Sequence, residues 1–436
     1  QPVSSYDYAV LKNLALKNDG LSEIYSSDIL EKYRTGSDPL RFPNTDLREI
    51  LLKDYSRQER YNLNVSGAGK AVKYFVSAGY LNQGGIFNVE KDLNYDPSFF
   101  LKRYNFRSNI DIQLNKTLKA FLNVSGYIGN QNGAYGGVLS NIGDINDPNS
   151  TASVWILDNI GATPAILPGV LTPDGEVLTM SNAPQPPYGQ VNRTGYIQRV
   201  YSNVNATYGM QQDLDFITEG LSAKAVLSFD SKTTNNLFAG KTYEKWVQII
   251  NPNLTGMDGG DSVYYQLFNN EKNTPLSISG SRYFSSTFYF QGYLNYNRTF
   301  HKHTVSGLVL YQQQKTTINA ELPYNLKGVA SRLTYGFDNR YFAEFNAGYN
   351  GSEQFAKGRR FGFFPAFSGA WLVSNEKFMS NVRIIDHLKL RGSYGLVGND
   401  RIGSRRFLYL DDIQVIAGGY TTSLGNGQYV VTSLLK

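Results

Sequence analysis

Hydrophobic and polar side chains take turns along residues 331–371. Leu333, Tyr335 and Phe337 alternate with Arg332, Thr334 and Gly336. A polar break at Asp338, Asn339 and Arg340 follows. Tyr341, Ala343, Phe345, Ala347 and Tyr349 then alternate with Phe342, Glu344, Asn346, Gly348 and Asn350. Successive side chains of a strand point to opposite faces, so this rhythm predicts a hairpin with one apolar, aromatic-rich face and one mostly polar face. Its far end opens into a charged, Gly-rich loop over residues 351–360 before the chain returns at Phe361. Long strands joined by short turns on one side and longer loops on the other predict an all-β fold, an antiparallel transmembrane β-barrel.

The same period runs through most of the chain. Tyr61, Leu63 and Val65 oppose Asn62, Asn64 and Ser66, and Val72, Tyr74, Val76, Ala78 and Tyr80 continue the apolar side. On the next strand Tyr104, Phe106, Ile110 and Ile112 share one face, and Asn105, Arg107, Asn109, Asp111 and Gln113 share the other. A cationic side chain facing lipid at mid-bilayer would cost about 2–4 kcal/mol, so the row containing Arg107 is expected to look into the lumen. Further strands are predicted at residues 118–128, 196–210, 221–229, 283–300, 304–313, 361–371 and 388–397, about twelve in all. The short turns at 115–117, 301–303 and 338–340 are expected on the periplasmic side. Insertions at about 82–102, 130–195, 231–280 and 351–360 are expected outside the cell.

Most of these strands reach about ten residues, against about 5–6 in soluble proteins. Ten residues tilted by about 45° cross the hydrocarbon layer. Length therefore favours a membrane barrel over a soluble β-sandwich, which would show the same alternation. Residues 1–58 differ. Tyr8 to Lys17 predicts a short helix, Asp28 with Glu31 resembles a helix start, and Gly36 a helix stop. This lead-in reads as helical and loop-rich, and residues 59–436 as barrel with loops.

Composition sharpens the picture. Charged residues are only 18% of the 436, against roughly 25% on average, while aromatics reach 14% with 32 Tyr and 25 Phe. Tyrosine in excess of phenylalanine suits interfacial girdles, where a ring needs an apolar body and a polar tip. The absence of cysteine excludes disulfides, Cys-based zinc sites and thiol nucleophiles. No apolar run of about 18 residues exists, so helical spans are excluded. The net charge of +6 comes from singly scattered basic residues, not from a nucleic-acid-binding stripe.

Several stretches resemble the SusC/RagA-type TonB-dependent outer-membrane transporters. They are Tyr61-Asn-Leu-Asn-Val-Ser-Gly with Lys73-Tyr-Phe-Val-Ser-Ala-Gly-Tyr, then Arg103-Tyr-Asn-Phe-Arg-Ser-Asn. Tyr349-Asn-Gly-Ser-Glu with Phe355-Ala-Lys-Gly-Arg-Arg-Phe-Gly-Phe-Phe-Pro-Ala is the most distinctive, and Leu388-Lys-Leu-Arg-Gly-Ser-Tyr-Gly-Leu-Val-Gly-Asn the last. Gly36-Ser-Asp-Pro and Phe42-Pro-Asn-Thr-Asp resemble that family's link between plug and barrel. The resemblance implies a barrel of about 22 strands around an N-terminal plug. It also implies an upstream segment that engages TonB, and a surface lipoprotein lid of the SusD/RagB type. No plug precedes Gln1, so this chain is expected to be part of a larger transporter. The implied function is TonB-dependent import of a large nutrient, glycan or peptide, across the outer membrane of a Gram-negative bacterium. A passive porin and a soluble glycan-binding or adhesin module are the rival readings.

Transport needs no covalent chemistry, so neither a catalytic residue nor a cofactor is expected. Trp155, Tyr188, Tyr264 and Tyr265 could stack on sugar rings or peptide side chains, or pack the loops onto each other. Arg359 and Arg360, with Lys357, form the densest cationic cluster, suited to an anionic ligand or to a solvated rim. Asp144, Asn146 and Asp147, and likewise Asp258 and Asp261, carry oxygen ligands that suit Ca²⁺ but lack EF-hand spacing. His301 and His303 lack a third ligand for a metal and read as turn residues.

Overall fold

The computed structural model describes residues 3–136, 152–379 and 384–400. It also describes residues 406, 407 and 409 and the backbone of residues 421–423 and 429–431. The strands in chain order are β1 (Gln58–Ala68), β2 (Val72–Gly84), β3 (Phe100–Gln113), β4 (Leu118–Ala134), β5 (Val177–Leu178) and β6 (Gly195–Asp213). Then come β7 (Leu221–Gly240), β8 (Lys245–Thr255), β9 (Asp261–Leu267), β10 (Ser277–Phe300), β11 (His303–Ile318) and β12 (Tyr324–Phe337). β13 (Tyr341–Ser352), β14 (Phe361–Leu372), β15 (Lys389–Gly395) and a small pair, β16 (Thr421–Ser423) with β17 (Tyr429–Val431), complete the series. One 12-stranded sheet runs β1-β2-β3-β4-β6-β7-β10-β11-β12-β13-β14-β15, so sheet neighbours follow chain order apart from the loop excursions. β5, β8 and β9 make a separate 3-stranded sheet inside those excursions.

Local chemistry sets the turns. Asp338 and Asn339 both adopt positive φ, 53° and 50°, and the Arg340 N–H donates to the Phe337 carbonyl at 2.9 Å. That is a type I′ reversal, whose twist matches the flanking strands. At the β3–β4 turn the Asn115 side chain accepts from the Thr117 and Leu118 N–H groups at 2.9 and 2.8 Å.

Register aligns the alternation across the whole sheet. Val65, Val76, Ser108, Val124, Ala206, Phe229 and Phe288 form one continuous cross-strand row. Further round, Leu333, Phe345 and Phe367 form another, with the two phenylalanine rings 4.9 Å apart. These side chains stay open on their face: Leu333 is 53% and Phe367 56% exposed. Burying one such side chain gains about 1.5–3 kcal/mol, so a wall of them facing water would be untenable, whereas lipid accepts it. Neighbouring aromatic rings edge the apolar face at both ends. Tyr61, Tyr80 and Tyr104 lie toward the long loops, and Phe337, Tyr341 and Trp371 by the short turns, where Tyr341 and Trp371 stack within 9° of parallel.

Several strands outrun their sequence signal. β7 continues to Gly240 and β10 begins at Ser277, so the expected 231–280 insertion shrinks to residues 241–276. From Ser231 to Asn236 both faces of β7 are polar, with Thr233 and Asn235 on one and Lys232, Thr234 and Asn236 on the other. The hydrogen-bond ladder persists there although the apolar alternation has stopped. β4 likewise reaches Ala134, and β11 and β12 extend through residues 314–318 and 324–330.

The lead-in folds as α1 (Ser5–Asn18), α2 (Ser27–Thr35) and α3 (Leu47–Leu51). Ser26, not Asp28, caps α2 by accepting from the Ile29 N–H, and Asp28 instead pairs with Lys32 at 3.0 Å. Gly36 ends that helix at φ 62°. α4 (Ala152–Ala162) and α5 (Pro187–Asn192) lie in the β4–β6 connection. The main buried apolar cluster sits in this loop layer and not in the sheet. It joins Leu47 and Leu51 of α3 to Phe87, to Ile156 and Ile160 of α4, and to Val191 of α5. The lead-in is therefore packed among the long loops.

Candidate functional site

The face opposite the apolar wall is a field of hydrogen-bonding side chains. Register places Asn105 between Gly79 and Tyr127, Arg107 between Ser77 and Ser125, and Asn109 between Phe75 and Asn123. Asp111 lies between Lys73 and Phe121, and Gln113 beside Lys119. These five share one face, as their two-residue spacing requires.

The same face continues across β10–β13 with residues the alternation alone did not single out. Tyr289 donates to Gln312 at 2.7 Å, Gln291 donates to the Tyr289 hydroxyl at 2.8 Å, and Tyr293 donates to Gln291 at 2.6 Å. Arg332 donates to Asn346 at 3.1 Å, and Asn346 to Glu344 at 2.7 Å. Interlocking of this kind fixes side-chain orientation along the wall.

The loop residues fall into separate places. Arg359 and Arg360 line a pocket of about 580 Å³ with Phe355, Phe364, Asn350 and Gln312. Asn350 and Gln312 belong to the polar face, so this pocket joins loop to wall. Arg360 folds back, its Nε donating to the Phe355 carbonyl at 3.2 Å. Tyr188 is half-buried and donates to Glu90 at 3.1 Å; the Glu90 carboxylate also receives Arg193, whose guanidinium lies 5.7 Å from the Tyr188 ring centroid. The Arg193 hydrogen bonds hold the Glu90 carboxyl below its ordinary range. Trp155 on α4 is 48% exposed and Tyr264 on β9 is 45% exposed, while Tyr265 lies across from Gln248 on β8.

Asp258 and Asp261 surround an arginine. The buried Arg41 guanidinium donates to the Asp258 carboxylate at 2.8 Å and to the Asp261 carbonyl at 2.6 Å, and pairs with Asp38 at 3.2 Å. Arg41 drives the Asp258 carboxyl down to about 2. Asp144, Asn146 and Asp147 lie outside the described residues. His303 contacts the Tyr335 hydroxyl at 2.7 Å through Nδ1. Sequence reasoning missed Arg41, Glu90 and Arg193, because their partners lie far along the chain.

A twelve-strand antiparallel sheet with an open apolar face and a hydrogen-bonding reverse defines an outer-membrane β-barrel protein. No family model matches the chain. TonB-dependent receptor P26 of Formosa agariphila is 24% identical over 376 residues, covering 85% of this chain and 35% of its own. TonB-dependent receptor SusC of Bacteroides thetaiotaomicron is 23% identical over 412 residues, covering 90% of this chain and 38% of its own. Among solved structures, the RagAB peptide transporter superposes with a TM-score of 0.53 at 18% identity, over 98% of this chain and 45% of that one. The chain is similar in sequence to SusC and P26 and in fold to RagAB, and it spans little more than a third of the curated relatives it matches.

Proposed function

We propose that the protein carrying this chain imports a large nutrient, glycan or peptide, across the outer membrane by TonB-dependent transport. In this reading the polar face lines the bore, so Asn105, Arg107, Asn109, Asp111 and Gln113 look into the lumen and the apolar face meets lipid. TonB acts through a plug-side segment, and a SusD/RagB-type surface lipoprotein closes the outer mouth. In the same reading Trp155, Tyr264, Tyr265, Arg359 and Arg360 are the loop side chains that meet ligand or lid. Tyr188 serves the same surface indirectly, through the Glu90–Arg193 pair. No cofactor takes part.

The sorting of one polar and one apolar face over twelve registered strands carries this reading. The kinship with receptors named SusC and P26 adds the energy source, and the fold shared with a peptide transporter adds the architecture. Purification in detergent should bring a surface lipoprotein with the protein, and uptake of its nutrient should stop in cells without working TonB. Uptake that persists without TonB, with steady ion conductance in planar bilayers, would instead mark a passive porin.

A further inference from the structure

The upper part of the polar face, from β1 to β7, carries Arg60, Arg103, Arg107, Arg199 and Lys232 in adjoining cross-strand rows. Asp230 is the acid among them. Among the described residues, Arg60, Arg103, Arg107 and Lys232 have no carboxylate within ion-pair distance. Arg332, further round the wall, has Glu344 at 3.9 Å. Cations crowded on one wall repel each other, and such an arrangement is relieved by an anion brought between them.

Two further observations point to a ligand. The Arg103 Nε is buried with no hydrogen-bond partner among the described residues, which is a donor left over. Tyrosine rings stand between the cations: Arg103 lies 5.5 Å from the Tyr127 ring centroid, and Tyr127 meets Tyr201 edge-on at 6.0 Å. Asn62, Asn105, Asn203 and Asn205 fill positions in the same rows.

We infer that this sector binds an acidic oligosaccharide. Strand backbone groups are taken up by the ladder, so recognition on the wall falls to side chains. Guanidinium groups hold the carboxylate or sulfate of each acidic sugar, amides hydrogen-bond its hydroxyls, and tyrosine rings take the C–H face of the pyranose. The inference rests on the import reading and narrows its cargo.

Binding by the purified full-length protein in detergent tests it, using a hexa-uronate, a neutral hexasaccharide and hexaglutamate as probes. The hexa-uronate should bind at least about tenfold more tightly than either of the others, and the preference should shrink with added salt. Arg103→Gln with Arg107→Gln should remove most of that preference, whereas Arg332→Gln should keep it. Unchanged electrophoretic heat-modifiability would show that each variant still forms its barrel. Equal binding of the neutral probe, tighter binding of hexaglutamate, or an Arg103/Arg107 variant that binds as before would each overturn the inference. TonB-dependent uptake and lipoprotein copurification are measured separately, so import can stand where the acidic preference fails.

Discussion

The Arg41 guanidinium donates to the Asp258 carboxylate at 2.8 Å across 217 residues of sequence, tying the lead-in to the tip of the β8–β9 hairpin. Gln248 reinforces the tie by donating to the Leu40 carbonyl at 2.8 Å. Hydrogen bonding to Arg41, then to the Gly260 N–H, holds Asp258 at about 2, against an ordinary 3.8. A carboxyl depressed in the folded state stabilises it above the unfolded pKa, and that contribution is lost as pH falls through the folded value. The hairpin should stay docked above about pH 4 and loosen toward about pH 2. Protease sensitivity of residues 251–261 should rise over that window. Asp258→Asn should show the looser hairpin at neutral pH and flatten the pH dependence.

The two faces of β12 should respond unequally to the same substitution. Phe337 and Val329 mark the ends of its apolar run, about 27 Å apart at roughly 3.4 Å per residue, so Leu333 lies near the middle. Leu333→Arg should cost about 2–4 kcal/mol in folding into lipid vesicles. Thr334→Arg, one residue on and facing the other way, should cost less than about 1 kcal/mol. Urea titration of refolding in vesicles measures both. Equal costs would contradict the assignment of lipid and lumen faces.

Glu90 should act as the staple between two long loops. Its backbone N–H donates to Asn192 at 2.9 Å, and its carboxylate receives Arg193 and Tyr188. Glu90→Gln should weaken this join by about 1.5–3 kcal/mol, the range for hydrogen bonds to charged groups. Tyr188→Phe, which removes one neutral donor from that carboxylate and leaves Arg193 in place, should cost no more than the lower end of that range, about 1.5 kcal/mol. Hydrogen exchange at the amides of residues 90 and 190–193 would report both, with exchange in β3 and β4 unchanged.

The wall was legible in the sequence because lipid enforces the pattern: Arg332 and Leu333 cannot exchange faces without bringing charge into hydrocarbon. Strand ends were less legible. Lys232, Thr233, Thr234 and Asn235 stand beyond the apolar band, where both faces tolerate polar residues, and the ladder continues without a side-chain signature. Helix caps were legible only to within two residues, since Ser26 and Asp28 offer the same kind of acceptor. The loop layer was not legible at all in its joints. Arg41 with Asp258, and Glu90 with Arg193, are pairs that only the closed chain brings together.

Two adjacent glycines separate the ways the Arg41 tie can fail. A Cβ on Gly260 would stand 2.7 Å from the Arg41 Cζ, so the bare backbone is what lets the guanidinium in. Gly260→Ala must push Arg41 away, and the hairpin should become as protease-sensitive as it does in Arg41→Gln. Gly259 holds φ 78° with nothing within 4 Å of a Cβ. Gly259→Ala should therefore cost about 1–2 kcal/mol through backbone strain alone. Combining Gly260→Ala with Arg41→Gln should add little to either change, because both remove one contact. Gly259→Ala should add its full cost to Arg41→Gln. Proteolysis rates of the single and double variants, measured at neutral pH, distinguish the two patterns. Additive behaviour of Gly260→Ala and Arg41→Gln would mean that the glycine serves something other than the guanidinium.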